Sequence, residues 1–323
     1  MVRSVSASKY RKDVKTRSFI KSPNIMQQKI LIVGVNGFTG RHILNTLAGK
    51  ANYRVIGCSL HPDICPNIDS YRFVQTDIRK EATVRHLFDE LRPDIVINTS
   101  ALSSPDYCEN HREETNETNI HAVAHLAMNC ERLGSRLIHL STDFVFSGTT
   151  NHLYTEEDTP TPVNYYGRSK WESEQQVARL CGNYAVARIV VVYGQPLPGQ
   201  HGNIVRLVAD RLRSGQSIRV VNDQWRTPTF VDDVAQGIEL LIGNPANGVF
   251  HICGPECLTI ADIAYRVADV LKLDSSLIQP VSTGEMQETT PRPRFSGLSI
   301  DKARHVLGYR PHSLDEGIRA MFS

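Results

Sequence analysis

No C-x-x-C pair occurs in this sequence, no apolar run reaches ten residues, and no strong charge of one sign covers the body of the chain. Each absence excludes something. The seven cysteines, at 58, 65, 108, 130, 181, 253 and 257, are scattered and odd in number, which argues against a disulfide framework and for a reducing, cytoplasmic setting. Cys58, His61 and Cys65 have a faintly ligand-like spacing, but no second Cys/His pair stands near them to complete four ligands, so no metal is expected. Runs such as ILIVG and DIVINTSA have the length of buried strands and fall far short of the roughly 20 residues of a spanning helix. No membrane partner is expected. The formal net charge is +2, yet residues 1–25 carry seven Lys and Arg against one Asp, so the remainder is net negative. The basicity describes a tail rather than a nucleic-acid surface. That tail lacks the apolar stretch of a secretory signal and reads as a disordered extension or an over-extended start ahead of Met26, with an organellar transit segment as the alternative.

What is present is alternation. From Lys29 onward, short apolar strands alternate with amphipathic helices: KILIVG, then FTGRHILNTLAGK; YRVIGCSL, then EATVRHLFDELR; DIVINTSA, then a helix over about 115–133; SRLIHLST, then a helix through Arg179. This texture predicts a doubly wound α/β fold of the Rossmann type, with a parallel sheet covered on both faces. After Gly194 the helices shorten and Pro and Gly enter the loops, which predicts a smaller C-terminal lobe. The expected division is 26–193 for the cofactor domain, with a return segment near 227–254 that includes VFHICG, and 194–226 plus 255–323 for the lobe.

The first strand runs into GVNGFTGRHI, where Gly34, Gly37 and Gly40 are spaced three apart. Glycines after a strand and before a helix let backbone N–H groups approach a pyrophosphate without Cβ obstruction. The second strand ends Ser59-Leu60-His61 with no carboxylate before Asp63. An acidic residue there would hold a ribose 2′-hydroxyl, so its absence favours NADP(H) over NAD(H), with Ser59 and His61 as candidate donors to a 2′-phosphate. Asp77, after the third strand, is either an adenine contact or a helix N-cap.

The segment PVNYYGRSKWESE carries Tyr165, Tyr166 and Lys170. Chance supplies roughly a third of one Tyr-x-x-x-Lys in a chain of this composition, so position gives the pair its weight. Tyr166 and Lys170 share a helix face, and they follow a strand ending Ser141-Thr142-Asp143. Reducing a ketone needs a proton on oxygen as well as a hydride on carbon. A nearby ammonium lowers a phenol toward the range where it exchanges protons, a threonine hydroxyl stabilises the charge developing on the carbonyl oxygen, and the nicotinamide supplies the hydride.

Taken in order, the glycine turn, LSTDFVFSG, PVNYYGRSKWESE, RTPTFVDDVA and TPRPRFSGLS resemble the extended short-chain dehydrogenase/reductase family, and within it the dTDP-4-dehydrorhamnose reductase group. The resemblance runs from about Lys29 to the C-terminus. It implies Tyr166, Lys170 and Thr142 as catalytic residues. It implies a cofactor set of Gly34, Asn36, Gly37, Phe38, Thr39, Gly40, Ser59, Asp77, Ile78, Thr99, Ser100, Ala101 and Lys170. It implies substrate contacts at Ser103, Asp143, Arg226 and Arg292, a structural role for Asn119, and a nucleotide-sugar substrate. A homodimer is compatible with it. Thr142-Asp143-Phe144 departs from the Thr-Asp-Glu of the related dehydratases, which disfavours elimination. Val191 stands where the rhamnose-forming reductases usually carry Trp, which leaves the sugar open. The expected activity is NADPH-dependent reduction of a 4-keto nucleotide sugar. The alternatives are an NAD-dependent epimerase or dehydrogenase, and a regulatory NADP-binding subunit like the β subunit of methionine adenosyltransferase.

Overall fold

The computed structural model describes residues 27–64, 68, 70–196, 200 and 202–323. Cys65 and the basic tail lie outside them. In chain order the elements of the first half are β1 (Gln28–Val33), α1 (Phe38–Leu47), β2 (Tyr53–Ser59), β3 (Tyr71–Gln75), α2 (Glu81–Leu91), β4 (Ile95–Asn98), α3 (Pro105–Asn110), α4 (Arg112–Asn116), a π turn (Glu117–His121), α5 (Ala122–Leu133), β5 (Arg136–Thr142), α6 (Tyr165–Leu180) and β6 (Tyr184–Ile189). The second half adds β7 (Val192–Tyr193), α7 (Ile204–Arg213), β8 (Ile218–Val221), β9 (Trp225–Arg226), β10 (Thr229–Phe230), α8 (Val231–Gly243), β11 (Gly248–His251), β12 (Leu258–Thr259), α9 (Ile260–Leu271), β13 (Ile278–Val281), α10 (Thr283–Met286), α11 (Asp301–Leu307) and α12 (Leu314–Phe322).

Seven strands form one parallel sheet in the order β11-β6-β5-β4-β1-β2-β3. The chain starts in the middle, at β1, and winds outward in both directions, so the order reverses between β1 and β4. That reversal opens a crevice at the C-terminal strand ends, where ligands of such sheets bind. The pleat sends Ile30 and Ile32 of β1 into one core layer and Leu31 and Val33 into the other. A continuous apolar strand is thereby buried on both faces. α1 and α8 pack together on one side, and α2, α5 and α6 follow one another on the other.

β11 lies at the sheet edge beside β6, so the chain returns to the sheet after entering the lobe. The lobe has its own core, in which Val205, Val208 and Leu212 of α7 meet Ile263 and Val267 of α9 and Ile318 of α12. The expected helix over 115–133 is interrupted, with five residues in a π turn. Within that turn Asn119 accepts from the Leu102 N–H at 2.8 Å and donates to the Leu102 carbonyl and to Ser169 Oγ, both at 3.0 Å. These bonds tie the strand-end loop to α6, a reason for the irregular turn that helical periodicity does not carry.

Candidate active site

At the sheet's reversal point the chain leaves β1 through Gly34, whose φ of +82° suits glycine. A Cβ there would lie 2.8 Å from Ser100 N, and one at Gly40 would lie 2.5 Å from the Gly34 carbonyl oxygen. The turn is therefore pressed against β4's end and against its own helix. α1 begins after Gly37 with no side-chain cap on its first N–H groups. Those unpaired donors and the helix dipole form a seat for an anion.

Gly37, Phe38, Thr39 and Gly40 border a cavity of about 380 Å³. Its opposite wall carries Thr142 and Asp143 from the end of β5, and Tyr166 and Lys170 from α6; Thr99, Ala101 and Ser103 close one side. Ser59, Asp77, Ile78, Gly34 and Ser100 border an adjoining cleft of about 150 Å³. Ser59 Oγ accepts from the Asn36 N–H at 3.1 Å, which fixes the turn against β2. Asp77 is not a helix cap, since Lys80 precedes α2; Arg79 instead binds its carboxylate through Nε at 2.9 Å and Nη2 at 3.0 Å.

α6 starts at a true cap, with Asn164 Oδ1 accepting from the Gly167 N–H at 2.8 Å. The helix puts Tyr166 and Lys170 one turn apart on the sheet side, while Tyr165 turns away and donates to Asn116 Oδ1 at 2.8 Å. Burial raises the Tyr166 phenol, and the Thr142 side chain beside it opposes the rise. Lys170, fully buried, is pushed down to about 8. Its Nζ donates to the Leu140 carbonyl at 2.7 Å and lies 3.2 Å from His139 Nε2. This differs from the expectation drawn from spacing: the lysine is turned toward the sheet, and burial, not the ammonium, dominates the phenol. Ser141 Oγ, in the same wall, is buried without a partner.

Asp143, itself part of the wall, is tied to Arg226, which borders a second cavity in the lobe. Asp143 accepts from Ser296 Oγ and from Thr142 Oγ1, and Arg226 Nε stands 3.6 Å from it. Burial raises the Asp143 carboxyl while Arg226 counteracts the rise. The remaining Arg226 nitrogens donate to the carbonyls of Trp225 and Pro293 at 2.8 and 2.7 Å and to Gln224. The arginine thus holds the 291–297 loop. Arg292 borders a lobe cavity of about 260 Å³ with Arg219, Glu288 and Met286, and contacts Asp106 and Glu288. Sequence reasoning missed His139, Ser173 and Ser296. Ser173 lies within PVNYYGRSKWESE and Ser296 within TPRPRFSGLS, but the contacts that join His139 to Ser173 and Lys170 and Ser296 to Asp143 span 31 to 153 residues.

The parallel sheet, the glycine turn at its reversal point and the Thr-Tyr-Lys wall define an NAD(P)-dependent oxidoreductase of the extended short-chain dehydrogenase/reductase type. Residues 28–323 match the RmlD substrate binding domain family, and the chain belongs to that family. Relatives include "Probable low-salt glycan biosynthesis reductase Agl14" of Haloferax volcanii, 30% identical over 293 residues, with 90% of this chain and 96% of the relative covered. Another is methionine adenosyltransferase 2 subunit beta of Bos taurus, 32% identical over 285 residues, covering 86% and 82%. The crystal structure of dTDP-4-dehydrorhamnose reductase from Bacillus anthracis, a complex with NADP, superposes with a TM-score of 0.80 at 26% identity, covering 92% of this chain and 99% of that one.

The residues present fit such a cofactor. The uncapped start of α1, the glycine cradle and the orphaned Ser141 hydroxyl all offer donors to it, and no carboxylate stands at the end of β2.

Proposed function

We propose that this protein reduces a 4-keto nucleotide sugar to its 4-hydroxy form with NADPH. One observation carries the reading: Thr142, Tyr166 and Lys170 border the same cavity as the anion seat of α1. When bound, the nicotinamide would supply the hydride. Tyr166 would donate the proton to the ketone oxygen, and the Thr142 hydroxyl, on exchanging its bond to Asp143 for one to that oxygen, would stabilise the charge that develops on it. Gly37, Phe38, Thr39 and Gly40 would hold the pyrophosphate through backbone N–H groups, and Lys170 would bind the nicotinamide ribose. Ser59 at the end of β2 leaves room for a 2′-phosphate, which supports NADPH over NADH. The lobe cavity, with Arg219 and Arg292 at its border, suits the diphosphate and nucleotide.

The 32% identity to a methionine adenosyltransferase β subunit supports a second reading, a regulatory subunit that binds NADP. NADPH oxidation with a panel of 4-keto-6-deoxy nucleotide sugars separates the two. Turnover of at least one sugar is expected. Tight NADPH binding without turnover of any would replace the first reading with the second.

A further inference from the structure

His139 of β5 is fully buried, and both its ring nitrogens are engaged on the hidden side of the catalytic wall. Asn98 Oδ1 accepts from the Ser100 N–H at 3.1 Å and from Ser100 Oγ at 2.7 Å. A backbone N–H can meet only the amide oxygen, so the orientation of Asn98 is fixed and its Nδ2 faces His139 Nδ1 at 3.1 Å. Nδ2 only donates. Nδ1 is therefore the acceptor, and the neutral imidazole carries its proton on Nε2. Burial keeps the ring neutral, holding His139 well below the ordinary histidine range, and Lys170 acts in the same direction.

That Nε2–H points at Ser173 Oγ, 3.0 Å away, and at Lys170 Nζ, 3.2 Å away. Ser173 accepts it readily, because its own proton goes to the Lys170 carbonyl at 2.7 Å. For the lysine the contact depends on its charge. An amine has a lone pair and accepts from Nε2–H while still donating to the Leu140 carbonyl; an ammonium has only protons to offer and meets a proton. The other charged groups packed around this part of α6 do not resolve the conflict. Both Glu174 oxygens are bound by Arg188 of β6, at 3.0 and 2.6 Å, and Asp143 is held by Arg226 and Ser296.

We propose that His139 is a positioning residue that sets both the direction and the proton count of Lys170: its Nε2–H receives the lysine as a neutral amine, and a protonated Lys170 turns away from it toward Tyr166 and the cavity. The inference deepens the reductase reading, since it assigns the charge-dependent placement of Lys170 to a residue that touches neither substrate nor cofactor. Depression of Lys170 to about 8 by burial puts the exchange within reach of ordinary working conditions.

Nuclear magnetic resonance on the cofactor-free, isotope-labelled protein tests this without recourse to activity. The 15N shifts of His139 are expected to show a neutral, Nε2-protonated ring throughout about pH 5 to 9. An Nδ1-protonated tautomer, or protonation near the ordinary histidine value, would overturn the proposal in the wild-type protein alone. The 13Cε signal of Lys170 should titrate well below an ordinary lysine, and its midpoint should move up by about one pH unit or more in His139→Gln and His139→Leu. A midpoint unchanged in either folded variant sinks the idea. If turnover is observed, the alkaline limb of kcat/KM should move upward with it. If no sugar is turned over, the reductase reading fails while the resonance measurements still decide the role of His139.

Discussion

Thr142 and Asp143 are neighbours at the end of β5 and bonded to each other, yet their further partners differ. Both border the cavity with Tyr166, but Asp143 is also tied behind the wall to Ser296 and Arg226. On the cavity side, polar capacity is left over: Ser141 Oγ has no partner and α1 has no side-chain cap. On the far side, the Arg226 guanidinium meets loop carbonyls, Gln224 and a carboxylate, and lies 5.6 Å from the centre of the Phe144 ring. Unspent donors mark where a ligand fits; satisfied ones mark what holds the wall in place.

Removing the phenol oxygen should break the comparison hardest. Tyr166→Phe is expected to lower kcat by about a thousandfold or more while leaving NADPH affinity, read by fluorescence titration, unchanged; an equally active variant would refute the role of Tyr166. On the other side, Arg226→Met leaves Asp143 buried without its charge partner. A loss of roughly 3–5 kcal/mol of stability is expected in urea titrations. A folded protein of wild-type stability whose only defect is a raised KM for the sugar would move Arg226 to the cavity side.

A smaller effect comes from a third buried group. His251 is depressed to about 3 by burial, with Arg188 adding to the effect. Its unfolded form takes up a proton near pH 6.5, while the folded form stays neutral until far lower pH. Stability is therefore lost as pH falls below about 6.5, by up to about 1.4 kcal/mol per pH unit from this group. His251→Gln should flatten that slope in urea titrations run from neutral to mildly acidic pH, and an unchanged slope would show that the histidine is not the titrating group.

Local pattern made much of this legible. The strands β1, β2, β4 and β5 are runs whose burial on both faces follows from their composition, and the glycine turn announces itself in sequence. Tyr166 and Lys170 share a helix face because 3.6 residues make a turn. Other features were not legible. The π turn at Glu117–His121 is associated with bonds from Asn119 to Leu102 and Ser169, and the Arg79 grip on Asp77 competes with the capping role that its position before α2 suggests.

Sequence alone determined the class of fold, the order of its strands along the chain, and the residue types gathered at the cofactor crevice, because periodicity and turn chemistry act over a few residues. It also gave the reasons for expecting Tyr166 as the acid. Only the tertiary structure decided which way Lys170 points, that Arg226 grips a loop 67 residues away, and that His139 stands behind the lysine. Those outcomes depend on which donors meet which acceptors when distant segments come together, and on the dielectric that burial creates there. Neither quantity is carried by any short stretch of chain.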